Sequence, residues 1–235
     1  MSKTRNDLTI YDKEAAGWWE SDTRWVRTLH NMVPGRLKWF DTHVDWAGKD
    51  VLDLGCAGGF MAEAIDTRGA RVTGIDPASE AILAARQHAQ QTNREIRYDV
   101  GVGEDLPYPD LSFDIVVSVD VLEHVMDLEQ VVREVRRVLR PGGWFLFDTI
   151  NRNPLARLAT ITIAEDILGL LPKGTHDPDM FIKPKELRHI LEAENFDVGT
   201  FVGLGPRGVN RRLDPVFGRV PGTLIIYMGT ARAPA

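Results

Sequence analysis

The sequence predicts an α/β protein built on a doubly wound seven-stranded sheet, mostly parallel, whose last strand runs antiparallel. Three observations carry that expectation. Short apolar runs alternate with amphipathic stretches between residues 51 and 149. A glycine-rich turn, Gly55-Cys56-Ala57-Gly58-Gly59, stands at the first junction, and Asp76 closes the second apolar run. Strand, glycine turn, helix, strand, acid: this order places a nucleoside pocket at the carboxyl ends of a Rossmann-like parallel sheet.

Taken in order, residues 1–47 mix aromatics with charges (Tyr11, Trp18, Trp19, Trp25, Trp39, Phe40, Trp46) at spacings that suit short helices, and they predict a helical cap acting as a lid. Strands are expected at 51–54, 71–75, 96–100, 114–119 and 144–149, with helices at 60–67, 78–91 and 128–139 between them. The Arg140-Pro141-Gly142-Gly143 turn stops the last helix. Alternation of this kind implies right-handed crossovers and a sheet covered on both faces. Two further strands are expected at 198–202 and 224–228; with no helix between them, the last runs antiparallel. Residues 154–187 interrupt the rhythm as a helical insertion or lid. Within it Leu155, Leu158, Ile161, Ala164, Ile167, Leu168 and Leu171 form a stripe, with Glu165 off that face. The stripe suits plain packing, which is the favoured reading, or cover for a greasy substrate, or contact with a membrane surface. No linker or repeat divides the chain, so 1–235 reads as a single domain.

Composition excludes several function classes. The 28 Lys and Arg against 34 Asp and Glu give a net charge of −6, and no basic cluster offers a footprint for nucleic acid. One cysteine, Cys56, precludes an internal disulfide framework and reads as a small filler in the turn. The polar first ten residues and the lack of an apolar run of ~20 residues predict a cytoplasmic protein, peripheral to the membrane if the stripe touches one.

The ligand is narrowed by the turn. A dinucleotide fingerprint needs glycine at its first, third and sixth positions. Gly55, Ala57 and Phe60 stand there, which argues against a nicotinamide oxidoreductase. Asp53 puts a carboxylate beside the turn, which suits a cation better than a pyrophosphate. Asp53-x-Gly55-x-Ala57-x-Gly59 resembles the binding loop of class I S-adenosylmethionine (SAM) methyltransferases. That resemblance implies SAM as cofactor, with Asp53, Gly55, Ala57, Asp76, Pro77, Val102, Gly103 and Glu104 as its contacts. Val102 occupies a place where such enzymes commonly carry aspartate, leaving the adenine to backbone groups and Glu104.

Asp120-Val121-Leu122-Glu123-His124 follows the fourth strand. Were it the start of a helix, Asp120, Glu123 and His124 would share one face and could hold a divalent ion. The same residue types also cap and brace helix starts, so the spacing supports either reading.

Several segments together resemble the ubiquinone-biosynthesis O-methyltransferase (3-demethylubiquinol 3-O-methyltransferase) family. They are Trp18-Trp19, Pro34-x-Arg36-Leu37, Leu122-Glu123-His124-Val125, Thr149-Ile150-Asn151-Arg152-Asn153, Lys173-Gly174-Thr175-His176-Asp177 and Ile182-Lys183-Pro184. The resemblance spans roughly residues 11–187. It implies methylation of a phenolic hydroxyl on a prenylated catechol or hydroquinone, a small-molecule aromatic acceptor. It also implies cofactor contacts at Arg36, Gly55, Asp76 and Val119, and a divalent cation (magnesium or a transition metal) on Asp120, Glu123 and His124. His124 and His176 are the candidate catalytic bases. The Gly203–Pro221 region, Gly-Leu-Gly-Pro-Arg-Gly-Val-Asn-Arg-Arg at its start, departs from that family's closing pattern. SAM-dependent methylation of a nitrogen, carbon or carboxylate on another metabolite is the alternative activity, and a catalytically silent scaffold is the non-enzymatic one.

Overall fold

The computed structural model describes residue 6 and residues 8–13, 15–20 and 22–235, so part of the cap expected at 1–47 lies outside the described residues. Five parallel strands come first: β1 (Asp50–Leu54), β2 (Arg71–Asp76), β3 (Arg97–Val100), β4 (Phe113–Ser118) and β5 (Leu139–Ile150). Four antiparallel strands complete the sheet: β6 (Asp197–Val198), β7 (Val202–Val209), β8 (Pro215–Val220) and β9 (Ile226–Arg232). Their order is β3-β2-β1-β4-β5-β9-β7-β8, with β6 also on β9. Helices α1 (Thr9–Lys13), α2 (Arg24–Phe40), α3 (Phe60–Asp66), α4 (Ser79–Gln91), α5 (Leu128–Val138), α6 (Pro154–Arg157) and α7 (Pro184–Ala193) surround it.

The period-two alternation of the inner strands sorts their side chains into two cores. Val51, Ile115 and Val117 pack with Phe40, Ile65 and Ile82 from α2, α3 and α4 on one face. Leu52, Leu54 and Val116 pack with Val131, Val132 and Leu187 from α5 and α7 on the other. Parallel register sets Leu54 opposite Ile75 and Ser118, so the strands end together and their carboxyl edge faces a common space.

The sheet has nine strands among the described residues, not the expected seven, and its antiparallel part is four strands rather than one. The 198–202 segment is split between β6 and β7, and the 203–221 region folds as the β7–β8 hairpin. The hairpin was hidden because glycine stands where alternating apolar residues would signal a strand. These glycines permit close approach: a Cβ at Gly203 would lie 2.4 Å from the Gly222 carbonyl oxygen. A Cβ at Gly35 would meet the Phe217 carbonyl oxygen at 2.5 Å, so α2 lies directly on β8. Arg27 closes the contact by gripping Asp214 with Nε and Nη2 at 3.0 and 2.9 Å.

Two helical expectations are also corrected. Residues 120–124 form a turn rather than the first turn of a helix. Asp120 adopts φ +56°, and α5 begins only at Leu128, capped by the Asp127 side chain, which accepts from the Gln130 amide at 2.9 Å. The stripe of residues 155–171 starts as α6 but continues as a π-helix, Leu158–Ile167. Its i→i+5 bonds, such as Leu168 N–H to the Ile163 carbonyl at 2.9 Å, rotate side chains off a 3.6-residue face. Plain packing therefore fails for most of the stripe. Ile161 is buried, whereas Leu155, Leu158, Ile167 and Leu168 are exposed, and Glu165, expected outside, is 2% exposed. No helix among the described residues is long and apolar enough to cross a membrane.

Candidate active site

A cavity of about 420 Å³ opens at the carboxyl ends of β1, β2 and β4. All ten residues expected to touch a cofactor border it: Arg36, Asp53, Gly55, Ala57, Asp76, Pro77, Val102, Gly103, Glu104 and Val119. Asp120 and His124 border it as well.

The turn has its shape for steric reasons. Gly55 sits at φ +76°, and a Cβ there would be 2.2 Å from Val121 Cγ2, so only glycine fits. Gly59 at φ +91° precedes α3. The N-terminal aromatics lie over this turn: Trp18 packs with Trp25 and Phe60, and Trp19 Nε1 donates to the Gly58 carbonyl at 2.9 Å. Cys56 is buried as expected, and burial pushes its thiol up, which makes it unreactive packing.

Asp76 accepts from the amides of Ala57 and Ala78, both at 2.8 Å, through different oxygens. Each oxygen keeps a lone pair for a ribose hydroxyl. Asp53 is 1% exposed, and neither of its oxygens has a hydrogen bond of ordinary length, although the Ala62 amide is near enough to ease its ionisation. A buried carboxylate so poorly paired is costly and calls for a cationic or hydrogen-bond-donating ligand. This group beside the glycine turn fits the ammonium-bearing, phosphate-free SAM. Glu104 is less free than expected, since its Oε1 already accepts from the Met126 amide at 2.9 Å.

Burial, with Asp76 beside it, raises Asp53 to about 7, and burial raises Asp76 to about 6. Both values exceed the ~4 of an unfolded carboxylate. The native state therefore binds more protons than the unfolded one across that window, and its stability falls as pH rises through it. Calorimetric melts of ligand-free protein are expected to show Tm rising from about pH 8 to about pH 6.5. The window stops there because burial, with His176 near, lowers His124 to about 3 and opposes the trend in acid. Asp53→Asn is expected to raise the ligand-free Tm at pH 8 and to weaken SAM binding about tenfold or more. A variant that lost Tm without losing affinity would contradict this role.

Sequence reasoning missed Asp148, a buried acid on β5 immediately before the Thr149–Asn153 segment. It accepts from Arg36 Nε at 2.5 Å and from the Asp120 amide at 2.8 Å. Arg36 Nη2 is 2.5 Å from Asp120 Oδ2. Burial alone would lower Arg36, but the two carboxylates hold it firmly protonated. The left-handed Asp120 backbone is pinned by these contacts.

Glu123 and His176 lie behind the cavity wall. Glu123 Oε2 accepts from Thr149 Oγ1 at 2.8 Å, and burial pushes its carboxyl up to about 8. His124 Nδ1 is 2.6 Å from Asn6 Oδ1, and His176 Nδ1 is 2.7 Å from Glu165 Oε1. The imidazole rings are 5.0 Å apart. Among the described residues, the ligand atoms that converge are those of Glu123, His124 and His176. The cation site implied for Asp120, Glu123 and His124 does not fit as such, because the turn breaks their shared helical face and Arg36 holds Asp120.

Residues 52–147 match the methyltransferase domain family. A ubiquinone biosynthesis O-methyltransferase of Chromobacterium violaceum is 39% identical over 207 residues, 87% of this chain and 88% of that protein. The protein of the same name from Pseudomonas syringae pv. tomato is 39% identical over 202 residues, 85% of this chain and 86% of that one. A SAM-dependent methyltransferase of Thermotoga maritima shares the fold with a TM-score of 0.66 at 16% identity, covering 95% of this chain and 97% of that one. With a match over most of its length to these curated relatives, the chain belongs to the ubiquinone biosynthesis O-methyltransferase family and is a SAM-dependent O-methyltransferase.

Proposed function

We propose that the enzyme methylates a phenolic hydroxyl of a prenylated catechol or hydroquinone. The observation that carries this reading is the buried His124 imidazole, which borders the cavity that holds Asp53 and Asp76 and has the His176 ring 5.0 Å behind it. SAM supplies an electrophilic methyl group on a sulfonium. Asp76 takes the ribose, and Asp53 takes the ammonium. Arg36, Gly55, Ala57, Pro77, Val102, Gly103, Glu104 and Val119 complete the cofactor side. A phenol titrates near ~10, so its proton must be dealt with as the methyl arrives. His124 is the group at the cavity to do so, with His176 as the candidate base behind it. Each has Nδ1 held by a neighbour, which leaves Nε2 as the acceptor.

The exposed Leu155, Leu158, Ile163, Ile167 and Leu168 offer apolar cover for a prenyl tail or for the lipid it is drawn from. On this reading residues 154–187 and the N-terminal aromatics act as lids. Incubation with methyl-labelled SAM and matched acceptors tests the proposal. A prenylated catechol is expected to take label on oxygen, while amine, carboxylate and carbon acceptors stay unlabelled. Preferential labelling of a nitrogen, carbon or carboxylate would overturn it.

A further inference from the structure

We infer that the Trp18 indole N–H reads the carboxylate at the amino-acid end of SAM, so that this end of the cofactor is bracketed between Trp18 and Asp53. The inference goes beyond the acceptor chemistry proposed above and rests on that reading only for the ammonium at Asp53.

A buried donor at the cavity lacks an acceptor. Trp18 borders the cavity and is 3% exposed, yet its Nε1 makes no hydrogen bond among the described residues. An indole N–H buried in this way is costly, and a ligand that accepts from it removes the cost. The ring is held in place: it packs 5.6 Å from Trp25 and 5.4 Å from Phe60, centroid to centroid. Its Nε1 edge lies so close over Gly58 that a Cβ there would collide with it. Trp18 thus presents a fixed donor at the glycine turn, in the same cavity as Asp53.

The cofactor carries the matching acceptor. SAM ends in an amino acid, whose carboxylate shares a carbon atom with the ammonium that Asp53 takes. An ionised carboxylate only accepts, so it needs donors once it leaves water. Other donors around the turn are already committed. The Gly55 and Cys56 amides donate to the Ile75 carbonyl at 2.8 and 3.1 Å, and the Gly59 amide donates to the Cys56 carbonyl at 2.8 Å. The Ala57 amide donates to Asp76 at 2.8 Å, and Trp19 Nε1 to the Gly58 carbonyl at 2.9 Å. Among the described residues lining the cavity, Arg36 is the one guanidinium or ammonium, and Asp120 and Asp148 hold it at 2.5 Å each. The Tyr11 hydroxyl stands in the field of Asp120, Asp76 and Glu123, where a further anion is repelled.

Two groups of opposite character give a specificity that one acid cannot supply. Asp53 alone accepts any ammonium that reaches it; Trp18 adds a requirement for the neighbouring carboxylate. Trp18 precedes α2 and Asp53 lies on β1, so the bound amino-acid end also ties the N-terminal aromatics to the sheet. Trp18 is therefore a positioning residue for the cofactor as well as cover for the turn.

Calorimetry on the full-length protein at pH 8 tests this with S-adenosylhomocysteine, the demethylated by-product, and two analogues of it, one lacking the carboxyl group and one lacking the amino group. In the wild type the decarboxylated analogue is expected to bind about tenfold or more weakly than the parent. Trp18→Phe keeps a ring and removes the donor. It is expected to weaken the parent about tenfold and to leave the decarboxylated analogue within about twofold of its wild-type affinity, which erases the preference. An equal loss for both ligands would reduce Trp18 to packing and overturn the inference, and so would a preference that survives in the variant. A wild-type measurement stands beside the variant in case Trp18→Phe does not fold. With nitrogen-labelled tryptophan, the Trp18 indole N–H resonance is expected to move downfield with the parent and to stay in place with the decarboxylated analogue. A resonance that responds alike to both would overturn the inference. Loss of the amino group is expected to weaken wild-type binding about tenfold. If it does not, the ammonium reading of Asp53 falls while the carboxyl comparison still decides Trp18.

Discussion

Asp76→Ala is expected to raise the Kd for SAM about a hundredfold or more, measured by calorimetry on the ligand-free enzyme. The carboxylate does two things at once. It accepts the Ala57 and Ala78 amides at 2.8 Å each, which pins the glycine turn to the start of α4. It also offers one free lone pair per oxygen at the closed end of β2. Hydrogen bonds to a charged group contribute about 1.5–3 kcal/mol each, so a pair to two ribose hydroxyls amounts to about 3–6 kcal/mol. At about 1.4 kcal/mol per tenfold, that is at least two decades. Asp76→Asn keeps the shape but replaces one acceptor by a donor, and an intermediate loss of about tenfold is expected. An alanine variant within about threefold of wild type would show that the ribose is held elsewhere.

Arg36→Met is expected to lower stability by about 3–5 kcal/mol in urea unfolding at pH 8, a Tm drop of roughly 10 °C. The guanidinium is 2% exposed and lies 2.5 Å from both Asp148 and Asp120, and Asp148 is fully buried. Removing the cation strands a buried carboxylate, and that desolvation dominates over the methylene packing that methionine retains. Burial already pushes Asp148 up, with Arg36 opposing, so loss of Arg36 raises it further. The native variant then binds a proton that the unfolded chain does not, and its deficit shrinks as pH is lowered toward 6. Adding Asp148→Asn is expected to recover part of the loss at pH 8. A single variant within about 1 kcal/mol of wild type would mean that Asp148 already carries a proton at pH 8.

Much of the cavity lining was legible because its signals are local. Asp53, Gly55, Ala57 and Asp76 lie within one β–α–β unit, and backbone sterics leave few residue types for that turn. The hairpin β7–β8 was not legible, since glycines erased the period-two pattern and α2 supplies the surface that holds it. The stripe at 155–171 misled for a related reason. A helical period assumes 3.6 residues per turn, and the π-helix breaks that assumption without any mark in the residues. Asp148 and Glu165 gave no signal, because each acts through partners more than ten positions away in sequence, Arg36 and His176.

The chain alone determined the parallel core, the edge at which the cavity opens and the identity of the turn residues, all consequences of hydrophobic periodicity and short-range backbone geometry. Tertiary structure alone decided that Asp120 serves Arg36 and that His176 joins Glu123 and His124. Which polar group neutralises which is settled by burial and distance between remote segments, and spacing along the chain does not encode either.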